Sequence, residues 1–387
     1  MLKHPELTLR RVTSFLKHDL QSRIYGERHP LRIEFSESHA EQQRDVKGPW
    51  REVQKGFRYG PAYSTYWFRL TGQVPASFAG KTVAVVADLG SERTVWKDGS
   101  PICGLDVEHS DMGFLDGTKL TDGCALVGGG EAIELYIQAY TGNPQHRVHL
   151  REQTREAEVA EVKGAEVVVV DTDVKDLSYD VDFSLNLLKS LEANDPAYST
   201  LLRALNECAN VFTPAQRESI GRCRKLIKDA LGSLNGEMKH TIVPVGHAHL
   251  DTAWLWPIHM TKKKMAHTTA TQLGLIERYP EYIFCHSQAS QYEWLEQDYP
   301  VLFERVKEAV QQRRWEPVGS MWVEADCNLT GAESLIRQFL YGRRYFREKL
   351  GYNTEDMWLP DVFGYAAALP QILAKFNIKY FLTQKIS

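Results

Sequence analysis

The sequence predicts a multi-domain chain: an N-terminal β-sandwich, a helical linker, and then a parallel β/α unit that stops short of a closed barrel. Three observations predict it. Short aromatic and β-branched runs, broken by turn clusters, fill residues 30–170. Apolar residues then recur at helical spacing over 174–234. From residue 240 strand-like and helix-like runs alternate, which implies parallel strands with right-handed crossovers. The boundaries read from these shifts are 1–173 for a jelly-roll-like sandwich, 174–235 for the linker and 236–387 for the β/α unit.

Residues 1–20 read as a short amphipathic helix. The runs "STYWFRLTGQVP", "KTVAVVADLG", "EAIELYIQAY" and "AEVVVVDTDV" read as strands, separated by "VPASFAG", "KDGSP" and "VGGGE". Gly128–Gly130 open no helix, so a hairpin turn is expected there rather than a phosphate loop. Three helices follow, with Pro196 suited to the first turn of the second. Thr213 and Pro214 are expected to cap and open the third. In the last part "HTIVPVG", "YIFCHSQ", "WEPVGS", "MWLPD" and "KYFLTQK" read as five strands. Helices are expected between them near 258–278, 290–312, 331–349 and 367–376. A barrel needs about eight such units. Only about four and a half are present, so the chain is expected to be the front part of a longer protein.

Composition narrows the function classes. Hydrophobic residues make up 43% of 387, enough for a sizeable core. The 46 basic and 50 acidic residues leave a net charge of -4, with no basic footprint for nucleic acid. The start, "MLKHPELTLRRV", lacks the apolar stretch of a secretory signal. No apolar run approaches the length of a membrane span. Six cysteines without a CxxC pair read as reduced, buried thiols. The expected location is the cytoplasm, with no membrane partner. "KKK" at 262–264 reads as a solvated helix face.

In parallel β/α architectures functional groups gather at the carboxyl ends of the strands. The first strand is followed by "GHAHLDTAW", which carries His247, His249 and Asp251. The second ends near His286, the third leads into Glu324 and Asp326, and the fourth ends at Asp361. In extended chain residues two apart face the same way, so His249 and Asp251 share a side. Imidazole nitrogen and carboxylate oxygen are donors that zinc accepts. A polar loop after a buried strand would show the same pair. His247 reads as a third ligand or, more readily, as a supporting strand-end residue. Asp361 reads as ligand and nucleophile, or as the cap of a helix from Ala366, for which it stands several residues early. Glu324, Asp326 and His286 read equally as cleft-lining groups or as partners of nearby backbone. Trp254, Trp256, Trp322, Trp358, Phe363 and Tyr365 crowd the same strand ends. Flat apolar faces beside carboxylates suit a pyranose ring, although core packing claims many such rings. Trp254 and Phe363 are the two candidates for substrate contact.

Four motifs in this order, "HTIVPVGHAHLDTAWLWP", "EPVGSMWVEADCNL", "WLPDVFGYAAALPQIL" and "KYFLTQKIS", resemble glycoside hydrolase family 38. The likeness is strongest over 240–387 and points to the cytosolic-type α-mannosidases; "STYWFRLTGQVP" and "TVWKDG" extend it toward the N-terminus. The resemblance implies a (β/α)7 catalytic barrel, here incomplete, preceded by a β-sandwich and a helical segment. It implies one divalent ion, Zn2+ or another such as Co2+, on His249, Asp251, Asp361 and a later histidine. It further implies a retaining α-mannosidase that removes terminal α-linked mannose from free oligosaccharides or glycans, with a covalent mannosyl-enzyme on Asp361. A later aspartate would act as acid and base. Neither that aspartate nor the later histidine has a counterpart before Ser387, so the chain alone is expected to be inactive. A mannose-containing oligosaccharide is the expected partner, and a homo-oligomer is compatible with the sequence.

Two other readings compete. "HAH" after a first barrel strand also resembles the metal-dependent amidohydrolases, in which the metal activates water. That superfamily expects a lysine at the end of the fourth strand, where this chain has Asp361. In the second reading the sandwich is a carbohydrate-binding module and the β/α unit performs no turnover.

Overall fold

The strand Thr65–Gln73 is the spine of the N-terminal sandwich. It pairs antiparallel with Arg32–Ser36 on one side and Ala132–Tyr140 on the other. In the computed structural model, which describes residues 4–106, 111–112, 118–119, 125–141, 160–234 and 241–386, this sheet continues through Glu92–Lys97 to Ser100–Leu105. A second antiparallel sheet is built on Thr82–Asp88 and Gly164–Val170, with Tyr25–Pro30 beside the latter. Alternate side chains point to opposite faces of a strand. Phe68 and Leu70 therefore meet Val83, Val85 and Val167 between the sheets, in a cluster of fully buried residues. Asp98 and Gly99, with φ of 50° and 81°, make the two-residue turn between the last two strands of the first sheet.

Gly128–Gly130 do not form the expected hairpin. The strand before them, Ala125–Leu126, belongs to the second sheet, and the strand after them, Ala132–Tyr140, belongs to the first. The glycines carry the chain between sheets. Gly129 and Gly130 adopt φ of 87° and 92°, and the Gly130 N–H donates to the Val74 carbonyl at 2.8 Å.

The helical segment comprises α1 (Pro5–Ser14), which continues as a wider helix to Leu20, then α2 (Thr172–Ser190), α3 (Pro196–Val211) and α4 (Arg217–Ser233). Val12, Leu16, Leu177, Leu205 and Ile227 share one apolar cluster. Asp171 and Asp195 cap α2 and α3 through their side chains, and Pro196 fills the first turn as expected. Thr213 does not cap α4. That helix begins at Arg217, and the Thr213 N–H instead donates to the Ser219 hydroxyl at 3.0 Å.

Beyond these lie five short strands, all pairing in parallel. Gly246–His247, Phe284–His286 and Trp315–Pro317 form one sheet; Asp356–Leu359 and Tyr380–Thr383 form another. Between them run α5 (Ile258–Arg278), α6 (Ala289–Asp298), α7 (Pro300–Gln311), α8 (Ala332–Leu350) and α9 (Leu369–Lys375). The single helix expected over 290–312 is divided before Pro300, which has no N–H to continue α6. The first strand is shorter than "HTIVPVG" suggests. Residues 241–245 make no strand, and Ile242 and Val243 are exposed.

The outer face of the first sandwich sheet is covered by α5. Trp67 and Trp96, pointing away from the sandwich core, join Met265, Ala270, Tyr299 and Leu302 in one cluster. Lys263 and Lys264 are part of this contact and not a solvated face. Lys263 is 2% exposed, donates to the Thr65 hydroxyl and lies 3.1 Å from Glu41. Lys264 pairs with Glu92 and sits over the Trp256 ring at 4.5 Å. Lys262 bonds Asp298 at 2.9 Å. Burying an ammonium is tolerated only where acceptors and opposite charges answer it, and these partners do. Gly104 admits the His267 ring so closely that a Cβ there would lie 1.8 Å from its Cδ2.

Among the described residues no helix is long and apolar enough to cross a membrane. Cys103, Cys208, Cys223, Cys285 and Cys327 are free and buried, while Cys124 lies outside the described residues.

Candidate metal centre

The strand ends bring His249, Asp251 and Asp361 together. One donor atom from each lies within 4.8 Å of the others, and all three residues are partly exposed. His249 Nε2 is 3.3 Å from Asp251 Oδ1 and 3.8 Å from Asp361 Oδ2. Asp361 follows Leu359 and Pro360 at the end of its strand. It caps no helix, because α9 starts only at Leu369.

His247 does not join the cluster. Its Nδ1 faces the Cys285 carbonyl at 3.0 Å, and the Trp358 indole N–H donates to its Nε2 at 3.3 Å. An HxH pair of ligands is therefore not formed. His286 is buried and meets the Gln291 amide oxygen through Nε2 at 2.9 Å. Burial pushes its imidazole down to about 3, so the ring stays neutral. Glu324 and Asp326 take different roles. Asp326 accepts the Asn328 and Leu329 N–H groups, both at 2.8 Å. Glu324 turns inward, with Oε2 3.1 Å from His249 Nδ1.

Burial disfavours a charge on His249. The close approach of the Glu324 carboxylate and the charges of Glu324 and Asp251 outweigh it and raise the imidazole to about 9. Three carboxylates converge on one imidazole and make a cluster that favours positive charge. One nitrogen and two oxygens are also the donor types a borderline divalent cation takes. The residues present fit such an ion.

The loops are tied by two amides. Gln288, at a left-handed φ of 64°, accepts from the Thr252 hydroxyl at 2.6 Å and from the Glu324 N–H at 3.2 Å, and donates to the Leu250 carbonyl at 2.8 Å. Gln291 donates to the same carbonyl at 2.8 Å. Lys385 completes the surroundings. Its Nζ is 2.6 Å from Asp361 Oδ1 and 4.8 Å from the Phe363 ring centre. Trp254 and Phe363 are 60% and 76% exposed, as rings available to a ligand must be. Trp256 meets Trp254 edge-on, and Trp322 packs edge-on against Tyr345. Sequence reasoning missed Gln288, Gln291 and Lys385. The strand-end rule that selected Asp361 selects Lys385 too, since it lies two residues beyond Thr383.

An antiparallel sandwich is thus docked on a parallel β/α unit that carries a metal-type donor set at its strand ends. Residues 239–387 match the glycosyl hydrolases family 38 N-terminal domain, and residues 30–167 match the alpha-mannosidase jelly roll domain. The chain belongs to glycoside hydrolase family 38. It is 34% identical to "Alpha-mannosidase 2C1" of Homo sapiens over 397 aligned residues, covering all of this chain and 38% of that protein. It is 29% identical to "Alpha-mannosidase G" of Dictyostelium discoideum, covering all of this chain and 36% of the relative. To "Alpha-mannosidase" of Saccharomyces cerevisiae it is 28% identical, over 89% of this chain and 33% of the relative. The chain thus spans between 33% and 38% of the length of these relatives.

Proposed function

We propose that this chain carries the nucleophile and metal side of a retaining α-mannosidase. The observation that carries the reading is the convergence of His249, Asp251 and Asp361 at three donor atoms within 4.8 Å. In this reading His249, Asp251 and Asp361 hold a divalent ion, Zn2+ or Co2+. When bound, the ion supplies positive charge and oxygen ligation for sugar hydroxyls. Asp361 attacks the anomeric carbon of a terminal α-linked mannose, and the leaving oxygen, protonated by a second carboxylic acid that is not part of this cluster, departs as an alcohol while a mannosyl ester forms on the carboxylate. Water then releases mannose with its configuration retained. Trp254 and Phe363 offer apolar faces to the sugar ring. Lys385 stays beside Asp361, its ammonium 2.6 Å from Oδ1. His247, held by Cys285 and Trp358, supports the strand end without touching the ion.

The remaining parts of the reading rest on the family. The division 1–173, 174–235 and 236–387, a (β/α)7 barrel begun by the five parallel strands, a cytoplasmic location, free oligosaccharides or glycans as substrate and a homo-oligomer are proposed with it. The amidohydrolase alternative is weakened by His247, which turns away from the cluster.

The test uses the full-length protein. Asp361→Ala should abolish hydrolysis of an aryl α-mannoside. Because Asp361 also belongs to the metal set, a mannosyl fluorosugar that traps the ester separates the two roles. Mass spectrometry should find the label on the peptide containing Asp361. A label on another carboxylate, or a product of inverted configuration, overturns the assignment.

A further inference from the structure

We propose that Glu324 is a positioning residue that decides which ring nitrogen of His249 faces the metal. The inference rests on the metal reading above. Glu324 comes from the loop after Trp315–Pro317, and its side chain is 5% exposed. Its Oε1 accepts the Ser287 hydroxyl, and its N–H donates to Gln288. Oε2 stands 3.1 Å from His249 Nδ1, off the hydrogen-bond line, and neither atom has a hydrogen-bond partner.

A buried carboxylate oxygen with no donor is costly, and so is a buried ring nitrogen with no partner. A hydrogen on Nδ1 answers both through a small turn of the ring. It leaves the Nε2 lone pair aimed at the space between Asp251 and Asp361. The other tautomer sets two lone pairs against each other at Glu324 and aims an N–H where the ion belongs. A carboxylate behind a ligating histidine fixes the ring and raises its basicity, and losing such a partner costs about 10- to 100-fold in metal affinity. The loop is held independently of any ion. The Val323 N–H donates to Gln338 at 2.9 Å, and the Ser320 hydroxyl bonds Thr354 at 2.6 Å.

The experiment titrates full-length protein with Co2+ alone and follows its visible absorption. Glu324→Leu, which has no acceptor, should weaken Co2+ binding about 10- to 100-fold. Glu324→Gln, which keeps an acceptor oxygen, should recover most of that loss. Wild-type affinity in the leucine variant, or equal weakness in both variants, overturns the proposal. His249→Ala with undiminished Co2+ binding removes the metal reading itself, and is recognised because it involves no change at Glu324. A second readout serves if the leucine variant does not fold. In zinc-loaded protein with 15N-labelled histidine, His249 should show a metallated Nε2 and a far-downfield Nδ1–H proton. That proton should move upfield in Glu324→Gln. An unmoved resonance overturns the proposal.

Discussion

Lys385 and Asp361 form an ion pair, Nζ to Oδ1 at 2.6 Å, on the oxygen that His249 does not approach. The carboxylate is thus shared between a fixed ammonium and the donor cluster. Both side chains are about a third exposed, so solvent screens the pair. Removing the ammonium deletes a positive charge beside the ion's place. Lys385→Met should therefore tighten Co2+ binding ~2- to 5-fold, the range set by a partly exposed pair worth up to ~1 kcal/mol. Weaker binding in a folded Lys385→Met protein would show that the lysine orients Asp361 more than it repels the ion.

Gly104 should not tolerate a side chain. A Cβ there meets the His267 ring at 1.8 Å, and the ring is held by the Tyr140 hydroxyl at 2.6 Å. Gly104→Ala should cost ~1–3 kcal/mol, the usual range for overpacking. The same substitution made in a His267→Ala background should cost less, because the clash is gone. Equal costs in both backgrounds, measured by denaturant unfolding, would refute the steric account.

His267 should make the protein sensitive to mild acid. Its ring lies among Glu92, Arg93, Asp106 and Tyr140 of the sandwich and Lys264 of α5. Burial holds it down to about 4, against 6.5 for a free imidazole. As pH falls below 6.5 the unfolded chain takes the proton first, so stability is lost between 6.5 and about 4. Between pH 6.5 and 5 the loss should reach ~2 kcal/mol. His267→Leu should flatten that slope; identical slopes in variant and wild type would count against it.

Asp356 should act in the opposite direction. Burial raises its carboxyl to about 6 from 3.8, while the Gly319 N–H, donating at 2.8 Å, partly offsets the effect. The folded protein binds this proton more tightly than the unfolded chain. Stability therefore falls as pH rises from 3.8 through 6. Asp356→Asn keeps an oxygen for Gly319 and removes the charge. It should stabilise the protein at pH 7 by up to ~3 kcal/mol, with the gain vanishing near pH 4. A destabilised variant at pH 7 would contradict the prediction.

The pairing of His249 with Asp251 was legible because residues two apart in extended chain share a side, whatever the fold around them. Asp361 was legible because parallel strands end at one edge. The target of Glu324 was not. Its loop turns through Gly319 and Ser320, at φ of 94° and 58°, and no local pattern fixes that path. Lys263 was misread for a related reason. Charge on a helix suggests solvent, but the groups that bury this lysine, Glu41 and Thr65, lie about two hundred positions away in sequence. The break before Pro300 was readable from the residue itself, whereas the crossing at Gly128–Gly130 depended on which sheet each neighbour joins.

Trp67 and Trp96 belong to the strands of one unit and the core of another. A gene rearrangement that carried the β/α region to a new neighbour would bring along a surface moulded to two absent indoles.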